Sequence, residues 1–447
     1  MKPSRYNHFV ELADGTILAF NSASGALAEI EKDQRSRVEY LLDHADAAET
    51  EQDTQLVDYL TEGGYIVPDD LDELTDFRDN SHSRRAQGTT LSLTIAPTLA
   101  CNFNCDYCFE NRSKVHMTPE IEQAVLDFAD RHLGKVVRLR TCWFGGEPTL
   151  RMPTIIRLQT ALREKAREYN VECPPALIIT NGYLLTGETA QKLKDLDIAN
   201  AQVTIDGPEE VHDQRRKLHS GKGTFRRIVD NLADAAHILN IRVRVNVDKA
   251  NVESAYEVIE ALDRRGILPL IHLYFAQVKS YGEACVNVRD RCFCEEDFSR
   301  NLAKLYRKLF DMGVYRVDYP KVYGGVFCGA VAEGTFVISP NGHLFRCWEE
   351  LSTDPQKSIG DIFSTGLTDR QKKNLEAFRN WDPFKMDQCL ECDILPLCLG
   401  GCPLHGMIKA VTDKGICSPW RFNLKEMLEL RYHCETERQK AGKTDRG

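Results

Sequence analysis

Residues 91–108 read LSLTIAPTLACNFNCDYC. Leu91–Ile95 is a short apolar run of β-branched and leucine residues, and Pro97 closes it, so it reads as a strand. Cys101, Cys105 and Cys108 follow at C-x3-C-x2-C spacing, on the loop that leaves the strand's C-terminal end. Open α/β folds place their chemistry on such loops. Three thiolates on one short loop can hold three irons of a [4Fe–4S] cube and leave the fourth iron open. The competing reading is a structural zinc site with a distant fourth ligand, but the x3 gap is atypical of zinc pairs.

Outward from this loop, strand and helix signals alternate. Strands are expected at Leu91–Ile95, Arg138–Phe144, Ala176–Thr180, Ala201–Ile205, Ile241–Val247 and Leu270–Phe275. Helical patterns lie between them, near Pro119–His132, Pro153–Tyr169, Gly187–Leu196, Gly223–Leu239 and Val252–Arg265. Such βα repetition implies a parallel sheet with right-handed crossovers, either a curved partial barrel or a flat doubly wound sheet. Before it, residues 1–80 read as a small domain. A hairpin is expected about Asp14-Gly15, then helices over Ser22–Ala28, Gln34–Leu42 and Asp53–Leu60, and a returning strand at Tyr65–Val67. This is a winged-helix outline. Asp76–Gln87 is polar and aperiodic and reads as a linker.

The chain has 447 residues, 16 of them cysteine, and a net charge of −10. The acidic balance argues against nucleic acid as a partner. No apolar run approaches the roughly 20 residues of a membrane span, and the N-terminus lacks a signal-peptide core, so a cytoplasmic chain without membrane partners is expected. Eleven cysteines lie between Cys285 and Cys434, which in that compartment reads as metal ligands rather than disulfides.

The C-x3-C-x2-C loop after the first strand resembles that of the radical S-adenosylmethionine (radical SAM) enzymes. Further features match in order: Tyr107 before the third cysteine, Gly145-Gly146-Glu147-Pro148 after the second strand, Asn181 after the third, Thr204 ending the fourth, then Arg216, with Arg215 as a rival. The resemblance spans about residues 88–280 and implies a partial (β/α)6 TIM-like barrel. It implies that Cys101, Cys105 and Cys108 carry the catalytic cluster. Tyr107, Gly145, Gly146, Glu147, Pro148, Asn181, Thr204 and Arg216 would then contact S-adenosylmethionine. A carboxylate suits its ammonium, an arginine its carboxylate, and glycines a close backbone approach. The implied reaction is reductive cleavage of the sulfonium to a 5′-deoxyadenosyl radical, with an electron from a reductant such as flavodoxin or ferredoxin.

Downstream, Cys328, Gly342, Cys347, Cys389, Cys392, Cys398, Cys402 and Cys417 match the spacing of the seven-cysteine SPASM pattern. The resemblance implies a loop-rich iron–sulfur domain over 319–434, after a bridging region 285–318 and before a polar tail 435–447. One auxiliary cluster would take Cys328, Cys347 and Cys402, and the other Cys389, Cys392, Cys398 and Cys417. Cys285, Cys292 and Cys294 compete for the fourth place in the first, against an open iron, and Cys434 competes with Cys417 in the second. Cys142 and Cys173 read as packing residues. Two zinc ribbons are the alternative for the whole region.

SPASM relatives mostly modify peptides or proteins, and residues 1–80 resemble a PqqD-like recognition element that would bind a leader peptide by strand addition. The first expectation is therefore a maturase of a ribosomally made precursor peptide, installing a thioether or carbon–carbon crosslink. The alternatives are a sulfatase-maturing type of enzyme that forms formylglycine, and a non-catalytic iron–sulfur electron carrier.

Overall fold

A computed structural model describes residues 1–110, 113–280, 283–408 and 417–440, and for 283–286 the backbone alone. The side chain of Cys285 and the tail beyond residue 440 thus lie outside the described residues. The chain divides into two compact units, one of Met1–Ala86, Glu295–Cys328 and Trp381–Gly447, the other of Gln87–Cys294 and Gly329–Asn380.

In the first unit, β1 (Lys2–Pro3) pairs antiparallel with β5 (Ile66–Val67). β2 (Asn7–Glu11), β3 (Ile17–Asn21) and β4 (Leu27–Ile30) form a separate antiparallel sheet. The expected hairpin is present, but the expected helix over Ser22–Ala28 is not. Asn21 Oδ1 accepts the amides of Ala23 and Ser24, both at 2.9 Å, and Gly25 sits at φ +80°, so the chain turns and returns as β4. Helices Arg35–Asp43 and Glu51–Glu62 follow, the second opened by a capping box between Thr50 and Asp53. The expected linker is a helix, Glu73–Ala86. Most of its anchors are polar: Ser4 Oγ donates to Glu73 at 2.6 Å, Ser81 donates to the Gly325 carbonyl at 2.6 Å and Arg85 Nη2 donates to the Trp381 carbonyl at 2.6 Å, while Leu74 and Phe77 pack against the buried cluster around Phe384. Two apolar residues make too short a stripe for a sequence to reveal. Val10, Leu18 and Phe20 share one buried cluster with Ile394, Leu397 and Leu428.

The second unit carries a nine-stranded mixed sheet. Its strands are β6 (Thr90–Ile95), β7 (Arg138–Trp143), β8 (Leu177–Thr180), β9 (Asn200–Thr204), β10 (Asn240–Val247), β11 (Ile271–Gln277), β12 (Thr335–Ile338), β13 (His343–Phe345) and β14 (Gly360–Asp361). The spatial order is β11-β10-β9-β8-β7-β6-β12-β13-β14. The first six run parallel, as the sequence expects. Their crossover helices bury one stripe each. Phe225, Ile228, Val229, Leu232 and Ala235 face inward from helix Phe225–Ala235, at helical spacing. β12 and β13 form a hairpin about Gly342, and it joins the main sheet because β12 pairs parallel with β6.

Among the described residues no helix is long and apolar enough to cross a membrane.

Candidate functional site

The parallel arrangement brings the C-terminal ends of β6 to β10 to one edge of the sheet, and the cysteine loop lies there. Residues 215–219 run beside it. Lys217 O accepts the Asn104 amide at 2.8 Å, Phe103 bridges to Leu218, and His219 Nε2 lies 3.1 Å from Cys101 O. Cys101, Cys105 and Cys108 are partly exposed and free of disulfides. Burial pushes the Cys101 thiol up to about 12. Its sulfur accepts from the Phe103 amide at 3.4 Å and Asn181 Nδ2 at 3.8 Å.

Gly145 and Gly146 allow a close approach, but to the chain itself. A Cβ on Gly145 would stand 2.4 Å from the Thr98 carbonyl oxygen, and one on Gly146 2.4 Å from that of Ala100. The pair therefore seats the end of β7 on the segment leading into Cys101, a role that the turn composition alone does not disclose. Glu147 follows, fully buried. Its Oε1 accepts from the Thr149 amide (3.0 Å) and from the hydroxyls of Thr149 (2.5 Å) and Thr180 (2.7 Å). Oε2 accepts the Asn181 amide at 2.7 Å. A carboxylate oxygen offers about two lone-pair sites, so Oε2 keeps acceptor capacity. Burial raises this carboxyl above its ordinary range against those hydrogen bonds. Pro148 opens the turn that follows.

Asn181 also donates from Nδ2 to Asn102 Oδ1 at 2.8 Å, and Thr204 is buried at the end of β9. Tyr107 packs beside Val278, Val288 and Cys292, and its hydroxyl accepts from Arg216 Nη1 at 2.6 Å and Asn246 Nδ2 at 3.1 Å. Arg215, the rival, lies between Asp206 (3.4 Å) and Asp248 (2.9 Å), with its guanidinium 5.0 Å from the centre of the Tyr107 ring. Two carboxylates pair with Arg215 and none with Arg216, and each keeps one buried nitrogen, Arg215 Nη2 and Arg216 Nε, without a hydrogen-bond partner among the described residues. An unsatisfied buried guanidinium donor fits an anionic ligand group. The three soft thiolates, the buried carboxylate with capacity left and this donor form a set that fits an iron–sulfur cluster with a zwitterionic amino-acid ligand.

Sequence reasoning did not pick out Asn246, Asp248 or Arg291, whose partners are distant in the chain, nor Glu350, which burial pushes up to about 7. Glu350 ends the turn Trp348–Glu350 after Cys347, where the Trp348 ring lies 5.7 Å from that of Phe144.

In the first unit, Cys389, Cys392, Cys398 and Cys417 line one pocket, partly open to solvent. Arg421 Nη1 reaches the sulfurs of Cys417 (3.9 Å) and Cys392 (4.0 Å). Among the described residues no three ligands gather tightly enough for a single metal ion. Four cysteines on one pocket fit an iron–sulfur cluster or a zinc site by donor chemistry. Cys434 is buried in helix Trp420–Lys440 and is not among the residues lining that cavity. Cys328 and Cys402 belong to the first unit and Cys347 to the second. Cys292 and Cys294 fall in the second unit, Cys294 exposed. Cys142 lies within β7, and Cys173 Sγ is 3.7 Å from Arg163 Nη1.

Residues 95–247 match the radical SAM superfamily. The chain is 20% identical to the radical SAM cyclopropyl synthase TigE of Paramaledivibacter caminithermalis, over 95% of both chains. It is 24% identical to a cysteine-type anaerobic sulfatase-maturating enzyme of Clostridium novyi, over 78% of this chain and 98% of the relative. Its fold is similar to that of anSMEcpe, solved with bound AdoMet and the Cp18Cys peptide, at TM-score 0.58 and 19% identity over 78% of this chain and 99% of the other. The chain therefore carries a radical SAM catalytic domain over residues 95–247 and is an enzyme, similar in sequence to sulfatase-maturating enzymes.

Proposed function

We propose that this radical SAM enzyme oxidises a side chain held in a peptide or protein segment, by chemistry of the sulfatase-maturing type, converting Cys or Ser to formylglycine. The observation that carries this is the match to a sulfatase-maturating enzyme over 98% of that relative's length. It displaces intrapeptide crosslinking from first place, and the catalytic domain sets aside the electron-carrier alternative.

In this reading the second unit is a partial (β/α)6 barrel, and Cys101, Cys105 and Cys108 hold a [4Fe–4S] cluster. When bound, that cluster and S-adenosylmethionine would supply a 5′-deoxyadenosyl radical able to take one hydrogen atom from a substrate carbon; the second electron of this two-electron oxidation would leave through an auxiliary cluster, and where the residue is Cys water would replace the sulfur, released as sulfide. The residues of the chain bind and orient. Glu147 Oε2 takes the ligand ammonium, Arg216 Nε its carboxylate, and Asn181 and Thr204 its remaining polar groups. Tyr107, fixed by two donors, packs by the adenine. Gly145, Gly146 and Pro148 shape the turn that presents Glu147. Cys389, Cys392, Cys398 and Cys417 would hold one auxiliary cluster. A flavodoxin or ferredoxin supplies the reducing electron.

Intrapeptide crosslinking is the second reading; the match to TigE, a cyclopropyl synthase by name, supports carbon–carbon bond formation and spans 95% of both chains. There residues 1–80 would bind a leader peptide, as a PqqD-like element does, by strand addition.

The test is reduced holoenzyme with S-adenosylmethionine and a peptide carrying one Cys or Ser, followed by mass spectrometry and a hydrazide probe. A hydrazide-reactive product supports formylglycine. Loss of two hydrogens without an aldehyde supports the crosslink. Absence of 5′-deoxyadenosine from reduced enzyme would refute both.

A further inference from the structure

Asp106 lies inside the cysteine loop, between Cys105 and Cys108, and three residues on two separate segments hold it. Its amide donates to the Arg215 carbonyl at 3.3 Å. Its own carbonyl accepts from Asn287 Nδ2 at 2.9 Å, and its carboxylate pairs with Arg291 Nη2 at 2.8 Å. Asn287 and Arg291 stand four residues apart on one short helix, Glu283–Arg291, which follows β11 in the chain. Arg291 is tied down in turn. Its carbonyl accepts the Lys249 amide at 2.9 Å, and its Nε lies 3.6 Å from Asp248, which also pairs with Arg215 under the Tyr107 ring. One guanidinium thus joins the cysteine loop to the end of β10 and, through Asp248, to the arginine that faces Tyr107.

From this we infer that Asn287 and Arg291 form a clamp on the cysteine loop, and that Arg291 is a positioning residue for the half that carries Tyr107 and Cys108. The inference rests on reading Cys101, Cys105 and Cys108 as cluster ligands. Two contacts to a single loop residue, one to backbone and one to side chain, fix both its place and its orientation. A charge-assisted pair is roughly twice as strong as a neutral hydrogen bond. Arg291 and Asp106 remain about one-third exposed, at 32% and 35%, so solvent screening reduces that advantage. Releasing the clamp should therefore loosen the loop without unfolding the sheet, and the effect should appear first in cofactor binding.

The experiment uses full-length, anaerobically reconstituted holoenzyme. It measures S-adenosylmethionine affinity by calorimetry and the change the cofactor causes in the electron paramagnetic resonance of the reduced protein. Arg291→Ala should weaken affinity about tenfold and diminish the spectral change, and Arg291→Lys should restore most of both. Its thermal midpoint should match that of Arg265→Ala, which removes an exposed pair with Asp230 elsewhere on this unit. Wild-type affinity and an unaltered spectral change in Arg291→Ala overturn the clamp. If that variant fails to fold, Asp106→Asn and Asn287→Ala decide. Weaker binding at a wild-type thermal midpoint in either supports the clamp, and wild-type binding in both overturns it. The Cys101/Cys105/Cys108→Ala triple separates the two readings. A spectral change that survives in the triple refutes the cluster assignment itself. A change lost in the triple but intact in Arg291→Ala refutes only the clamp.

Discussion

Glu147→Gln separates the stability of the site from its affinity. The wild-type carboxylate is fully buried and takes three donors on Oε1 but one on Oε2. A glutamine of the same shape keeps the most bonds with its oxygen at the Oε1 position and its NH2 at the Oε2 position. One donor, the Asn181 amide, then faces another donor, and leaving it unpaired costs about 1–3 kcal/mol. Against this, the variant no longer buries a carboxylate that burial already disfavours, so the net change in stability is about 0–2 kcal/mol. The atom replaced is the one with acceptor capacity to spare. If it receives the ligand ammonium, a charge-assisted bond worth about 1.5–3 kcal/mol disappears, or about ten- to hundredfold in dissociation constant. Calorimetric titration of S-adenosylmethionine and thermal unfolding measure the two quantities separately. The pH dependence adds a sign. The folded carboxyl titrates above its ordinary 4.5, so between those values the folded chain holds a proton that the unfolded chain has released. Wild-type protein free of cofactor must lose stability as pH rises through that interval, and Glu147→Gln must not. Unchanged cofactor affinity in a folded Glu147→Gln protein would refute the reasoning.

Gly146→Ala places a Cβ 2.4 Å from the Ala100 carbonyl oxygen, next to Cys101. It should cost about 1–3 kcal/mol or more and lower cluster incorporation, read by unfolding and iron content. Gly266→Ala, at φ +66° with nothing within 4 Å, should show only the backbone cost of about 1–2 kcal/mol. Cys398→Ala should lower reconstituted iron by about four per chain, and an unchanged iron count would remove Cys398 from the ligand set. His212 is buried, accepts the Asp206 amide at Nδ1 (3.2 Å) and lies 3.0 Å from Thr224 Oγ1 through Nε2, and burial holds it well below its ordinary 6.5. Below pH 6.5 the unfolded chain binds a proton that the folded one refuses, so stability should fall with acidification there. His212→Gln should flatten that part of the unfolding-against-pH curve.

The six parallel strands were legible because each is a compact apolar run followed by an amphipathic helix, and both signals are local. The site was legible for a related reason: most of its residues sit at or just beyond successive strand ends, so locating the strands locates them. What stayed hidden depends on contacts distant in sequence. The place of β12 beside β6 and the hold of Asn287 and Arg291 on Asp106, across 181 and 185 residues, leave no periodic trace. The helix Glu73–Ala86 was missed because most of its anchors are polar, and Leu74 and Phe77 alone make too short a stripe. The turn at Ser22–Gly25 was missed because the Asn21 side chain decides it rather than helix propensity.

The buried cluster of the first unit changes how leader binding has to be tested. Deleting residues 1–80 looks like the direct experiment, but Val10, Leu18 and Phe20 cover Ile394, Leu397 and Leu428. Uncovering three such side chains costs about 1.5–3 kcal/mol each, against a typical domain stability of about 5–15 kcal/mol. Ile394 also lines the cavity of Cys389, Cys392, Cys398 and Cys417, and Arg5 Nη2 donates to the Leu390 carbonyl at 2.6 Å. Truncation therefore weakens the scaffold of those cysteines whether or not a leader binds, and lost processing after it carries no information about recognition. Substitution at exposed positions of the small sheet avoids the difficulty. Phe9 on β2, 49% exposed, can be changed to a charged residue without touching the buried cluster. Lost peptide processing with iron content intact is the combination that a purely structural N-terminal segment cannot produce.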